Sequence, residues 1–147
     1  MKFRLIIDQN CEEEVVATVR QRSAITDRIE QLIREESGSS HITAYTEDEL
    51  VVLSFDQIEC ITVENSKTCA IDSEGKHYRL KQRLYELEAI LPTYFIRINK
   101  SALANEKRLD RFVATYSGGV NARFLSGYEE YVSRRCFAVI RRRFESK

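Results

Sequence analysis

At 147 residues, one domain is the first expectation, with enough chain to bury a core. Its 43% hydrophobic and 31% charged residues exclude a disordered or fibrous chain, and a formal net charge of zero gives no electrostatic footprint to the chain as a whole. No stretch nears the roughly 18 apolar residues of a membrane span, and the run after Met1-Lys2-Phe3-Arg4 is too short for a signal peptide, so a cytoplasmic protein without a membrane partner is expected.

Residues 1–40 read as a small strand–strand–helix appendage. Lys2 to Ile7 has the composition of a strand, Glu12-Glu13-Glu14 interrupts it, and Val15 to Val19 is β-branched enough to prefer a second strand. Ser23 suits a helix cap. Beyond it Ile25, Ile29, Leu32 and Ile33 recur at helical spacing, and Glu30 precedes Arg34 by four. Ser37-Gly38-Ser39-Ser40 then reads as a linker. The appendage either packs on the rest of the chain or pairs two chains.

Residues 41–80 are rich in strand signals: Ile42 to Tyr45, Leu50 to Leu53, Ile58 to Val63, Cys69 to Ile71 and His77 to Leu80. Asn65-Ser66-Lys67-Thr68 reads as a polar turn and Asp72-Ser73-Glu74-Gly75 as a hairpin tip. Leu80, Leu84, Leu87 and Leu91 form one helical stripe, which Pro92 ends.

Phe95-Ile96-Arg97-Ile98-Asn99-Lys100-Ser101-Ala102-Leu103-Ala104-Asn105 enters a core as a strand, presents Asn99, Lys100 and Ser101 at a polar rim, and returns at Leu103. Arg, Asn, Lys and Ser are the residue types that contact phosphates and base edges. Further strands are expected over Phe112 to Tyr116, Val120 to Leu125 and Tyr128 to Ser133, with turns at Ser117-Gly118-Gly119 and Ser126-Gly127. Ser133 then caps a last helix whose apolar face is Phe137, Ile140 and Phe144. Arg141, Arg142 and Arg143 sit at the end where the helix dipole favours cations, but Arg134 and Arg135 stand at the opposite, unfavourable end. An anionic partner would explain them. Residues 97–147 hold twelve Lys and Arg against five Asp and Glu, a balance of +7, while residues 1–96 carry −7. That asymmetry suits phosphate binding.

Three segments carry a family resemblance. F-I-R-I-N-K-S-A-L-A-N at residues 95–105 resembles the F-x-R-[IV]-[HS]-[KR]-S-x-[LI]-[VA]-N core of the LytTR family, the DNA-binding domains of bacterial transcription regulators. Leu80 to Leu91 with Pro92 resembles its L-x-x-L-x-E-L-E-x-x-L-P helix. Val132-Ser133-Arg134-Arg135 resembles its [VI]-S-R signature before the last helix. The match covers about residues 50–147. The family often has His where Asn99 stands.

The resemblance implies an α+β, predominantly β fold: a LytTR-like antiparallel β DNA-binding domain with short helices over residues 41–147, following the 1–40 appendage. It implies loops that enter successive major grooves of double-stranded DNA. The expected contact set is Lys67, Thr68, Arg97, Asn99, Lys100, Ser101, Asn105, Arg134 and Arg135, with Arg135 reading a base and Arg134 beside it on phosphate. A homodimer is expected, since specificity usually needs two half-sites. The roughly 50 residues ahead of the match are too few for a phosphoacceptor domain of ordinary size, so control by an attached receiver is not expected.

Catalytic patterns are missing: no G-x-x-x-x-G-K-[ST], G-x-G-x-x-G, H-E-x-x-H or G-x-S-x-G occurs, and the carboxylates form no paired-acid pattern, so an enzyme is not expected. Cys11, Cys60, Cys69 and Cys136 show no C-x-x-C spacing, and His41 and His77 are the only histidines. Buried or half-buried thiols, no metal site and no cofactor are the expectation. Two functions remain: a sequence-specific DNA-binding transcription regulator, or a non-catalytic interaction or sensory module that turns the same rim to an acidic partner.

Overall fold

In the computed structural model, residues 1–37 and 40–145 are described, the side chains of 34–37 excepted. Gly38 and Ser39 of the expected linker, and the Arg34 side chain of the expected Glu30–Arg34 pair, lie outside the described residues. Seven strands form the larger antiparallel sheet: β1 (His41–Tyr45), β2 (Leu50–Ser54), β3 (Ile58–Glu64), β4 (Lys67–Asp72), β5 (His77–Arg79), β6 (Phe95–Asn99) and β7 (Ala102–Asn105). Their spatial order is β2-β1-β5-β4-β3-β7-β6. A smaller sheet holds β8 (Leu109–Ala114), β9 (Val120–Phe124) and β10 (Glu129–Val132) in the order β10-β9-β8. Helix α1 (Ala24–Ser37) precedes the sheets, α2 (Leu84–Ile90) lies between β5 and β6, and α3 (Arg134–Glu145) follows β10. The fold is α+β and predominantly β, as the sequence implies.

Both faces of the larger sheet are covered, which is why Ile58 to Thr62 is buried without a break instead of alternating with solvent. On one face Ile58, Ile61, Ala70 and Tyr78 pack with Leu84, Leu87 and Leu91. On the other Cys60, Cys69, Ile71, Ile96 and Ile98 meet Ala122, Phe124 and Val132 of the smaller sheet and Ile140 of α3. Glu59 stands at a bulge in β3 and is fully buried. It accepts hydrogen bonds from the Arg108 guanidinium at 3.3 Å, from the Ser126 amide at 3.1 Å and from the Ser126 hydroxyl. A buried carboxylate persists when it is paired and hydrogen-bonded in this way, and here it fastens the β9–β10 turn to β3.

Four expectations change. Residues 2–7 and 15–19 form no strand: Phe3, Leu5, Ile6, Ile7, Val15, Val16 and Val19 are all exposed. A strand is completed by a neighbour, and an isolated hairpin is marginal at best in water; among the described residues these have no sheet to join. Helix α2 begins at Leu84, four residues later than its leucine stripe, although Leu80 still packs in the same core. The β3–β4 turn is only Asn65-Ser66, both at positive φ (51° and 65°), so Lys67 and Thr68 belong to β4. Of the thiols, Cys60 and Cys69 are buried and Cys136 half-buried, but Cys11 is exposed. Burial first, then nearby carboxylates and Cys69, hold the Cys60 thiol well above its ordinary pKa, so it acts as a small apolar filler.

Candidate nucleic-acid interface

Three loops converge on one rim, and backbone hydrogen bonds join them. The β6–β7 turn is tied to the β3–β4 hairpin by the Val63 amide, which donates to the Ser101 carbonyl at 3.0 Å. It is tied to the start of α3 by the Ser133 amide, which donates to the Ile98 carbonyl at 2.9 Å. Asn99 adds a third link, donating from Nδ2 to the Tyr131 carbonyl at 2.6 Å. Thr62 Oγ1 also donates to Glu130 Oε1 at 3.0 Å, holding β10 against β3. Segments 32 or more residues apart in the chain thus form one edge.

The expected contact residues divide on this rim. Lys67, Lys100, Arg134 and Arg135 are exposed, and among the described residues none has a carboxylate ion-pair partner. Ser101 is half-buried at the same turn. Arg134 and Arg135 open α3 as expected, and Ser133 caps it: its Oγ accepts from the Cys136 amide at 3.2 Å and its carbonyl from the Phe137 amide at 2.8 Å. Two bare guanidinium groups at the positive end of a helix have no intrahelical reason to be there.

The others are used inside the protein. Asn105 is 0% exposed; its Nδ2 donates to the Ile58 carbonyl at 2.9 Å and the Phe55 carbonyl at 3.4 Å, and its Oδ1 accepts from the Lys107 amide at 2.9 Å. That burial counts against the expected DNA contact, and the side chain has a structural role instead: Asn105 caps the 3-10 turn at Glu106–Arg108. Asn99 is buried, and its Oδ1 accepts from the Ser101 amide at 2.7 Å, so both ends of its amide shape the turn that presents Lys100. Strand alternation sends Lys67 and Thr68 to opposite faces, and Thr68 is buried. Arg97 grips Glu88 of α2 with two nitrogens, at 2.7 and 2.8 Å, and donates to the Lys100 carbonyl at 2.8 Å. Asn99 and Arg97 therefore hold the loop, while Lys100 is free to reach outward. Sequence reasoning saw the polar types but not which of them the backbone would consume.

The LytTr DNA-binding domain profile matches residues 48–145. The chain belongs to the LytTr DNA-binding domain family. A LytTr DNA-binding domain from Bacillus cereus, described as part of a methyl-accepting/DNA response regulator, shares the fold: TM-score 0.64 at 23% identity, covering 71% of this chain and 96% of that one. Uncharacterized HTH-type transcriptional regulators of Staphylococcus aureus are similar along nearly the whole chain. Those of strains NCTC 8325 and MSSA476 are 29% and 28% identical over 146 residues, 97% of each chain. Among the described residues of this LytTr chain no helix is long and apolar enough to cross a membrane.

Proposed function

We infer that this DNA-binding transcription regulator reads its site through the cationic rim, with Lys67, Lys100, Ser101, Arg134 and Arg135 as the contact set. The observation that carries this reading is the stitching of three distant loops into one edge whose four long cations lack carboxylate partners among the described residues, while the neighbouring Arg97 and Asn99 are engaged in building it. Arg135 is assigned to a base edge and Arg134 to phosphate; a planar guanidinium fork can grip guanine at two acceptors. In this reading Lys67 and Lys100 add phosphate contacts, and the loops enter successive major grooves.

Residues 1–40 are assigned to an appendage and 41–147 to the DNA-binding domain. The exposed apolar residues of the first 20 positions support pairing with a second copy, which would supply the missing strand neighbours and align two domains on two half-sites. The protein acts in this reading as a cytoplasmic, non-enzymatic homodimer.

The test is a binding series on a duplex selected from a random library and its scrambled counterpart, at several salt concentrations. Arg135→Ala removes about 1–3 kcal/mol of discrimination between the two duplexes. Arg134→Ala weakens both alike and lowers the salt slope by about one. Exchange of those two patterns reverses the assignment; no change in either variant overturns this use of the α3 arm. Salt-sensitive binding to acidic partners without any duplex preference would favour an acidic-partner module instead.

A further inference from the structure

The β3–β4–β5 hairpins bring together three residues that sequence spacing keeps apart. Glu64 ends β3, Cys69 lies in β4 and His77 opens β5, and one ligand atom from each lies within 4.8 Å of the others. The register explains the meeting. Thr62 pairs with Cys69 and Ile71 pairs with His77, so Cys69 has Glu64 on one diagonal and His77 on the other, all on one face of the sheet. The tight Asn65-Ser66 turn fixes the first diagonal.

We propose that Glu64, Cys69 and His77 form a binding site for a single borderline-soft divalent transition-metal ion of the Zn2+ type. The distances suit one. His77 Nδ1 stands 3.6 Å from Cys69 Sγ and 3.3 Å from Glu64 Oε1. Zinc bonds of about 2.3 Å to sulfur and about 2.0–2.1 Å to nitrogen or oxygen give tetrahedral edges of about 3.5 Å between S and N and about 3.3 Å between N and O. The third edge closes by rotation of the Glu64 side chain, which is exposed.

The donor set also fits by charge and softness. A thiolate and a carboxylate neutralise a dication, and sulfur with imidazole nitrogen disfavours Mg2+ and Ca2+. The Tyr128 ring meets the His77 ring edge-on, with centroids 5.8 Å apart, and holds the imidazole toward the other two ligands. Three protein ligands leave a fourth position for water. The expectation of no metal site rested on the missing C-x-x-C spacing and on there being only two histidines; here the ligands converge across strands, which no linear spacing displays. An ion would staple the β3–β4 hairpin to β5.

The experiment titrates the reduced, full-length protein with Co2+, a spectroscopic stand-in for Zn2+, and then with Zn2+ itself. One Co2+ per chain is expected, with tetrahedral visible bands and a sulfur-to-metal charge-transfer band, both displaced by Zn2+. Cys69→Ser abolishes the charge-transfer band. Glu64→Gln and His77→Ala, at exposed side chains that leave the fold intact, weaken binding by at least the roughly 10–100-fold that loss of an outer-shell partner costs elsewhere. Zn2+ raises the melting temperature of the parent protein and not of His77→Ala. Cys11→Ser and Cys136→Ser change nothing. The proposal is overturned if no charge-transfer band forms, if the band survives Cys69→Ser, if it is lost in Cys11→Ser, or if His77→Ala binds as tightly as the parent.

Discussion

Phe3-Arg4-Leu5-Ile6 and Phe95-Ile96-Arg97-Ile98 are nearly the same string by side-chain type, yet their fates are opposite. Phe3, Leu5 and Ile6 are between 70% and 87% exposed and belong to no strand; Phe95, Ile96 and Ile98 are at most 9% exposed in β6. Propensity is similar, so propensity alone did not decide. Ile96 faces Ala104 of β7 across a turn of two residues, and β7 in turn pairs with β3. Among the described residues the first string has no strand neighbour at either edge. A strand is a pairwise object, and side-chain type only states how well it fits once a partner exists.

The largest expected effect sharpens this comparison by removing one methyl-rich side chain from each region. Leu103→Ala in β7, where Leu103 is buried against the α2-facing core, costs about 2–5 kcal/mol in urea or thermal unfolding. Ile6→Ala leaves the transition in place. Equal losses would mean that the first segment is folded into the core after all. Asn105→Ala comes next. It leaves the Ile58 carbonyl and the Lys107 amide without their partner, costing about 1–3 kcal/mol of stability, while the ratio of affinities for selected and scrambled duplex stays fixed. A changed ratio at unchanged stability would return Asn105 to the contact set.

Lys100→Ala is the converse. It keeps the melting temperature, weakens binding to both duplexes, and lowers the salt slope by about one unit. A small effect on stability belongs to a chain beginning at Ser40. Its melting falls only slightly at low concentration, through loss of the α1 packing on β2, but sedimentation equilibrium shows monomer where the full chain shows dimer. A dimer that persists in the shortened chain would move the pairing surface into the sheets and leave the appendage with another role.

Much of the domain was legible from local pattern. Periodicity located β1 to β6 and α3 because both faces of the larger sheet and one face of α3 are apolar, and a pattern of that length survives small boundary shifts. The start of α2 was not legible: Leu80 sits on the helical stripe but is held in the core by an extended backbone, its amide donating to Thr68. The rim was half legible. Lys100, Arg134 and Arg135 are polar and outward, as their types suggest. Asn99 and Asn105 have the same chemistry and turn inward, where backbone carbonyls and amides take up their hydrogen bonds. Thr68 is buried by strand alternation, and Arg97 stays half-exposed but is held by Glu88.

The sequence alone determined the family, the mainly β architecture and the concentration of positive charge toward the end of the chain, since each is written in residue type and order. Only the tertiary structure decided which polar side chains remain outside, that three loops up to 70 residues apart share one edge, and that Glu64, Cys69 and His77 meet on one face. Those outcomes depend on strand register and on which backbone groups lack partners. Both are properties of pairs of segments, and no single segment records them.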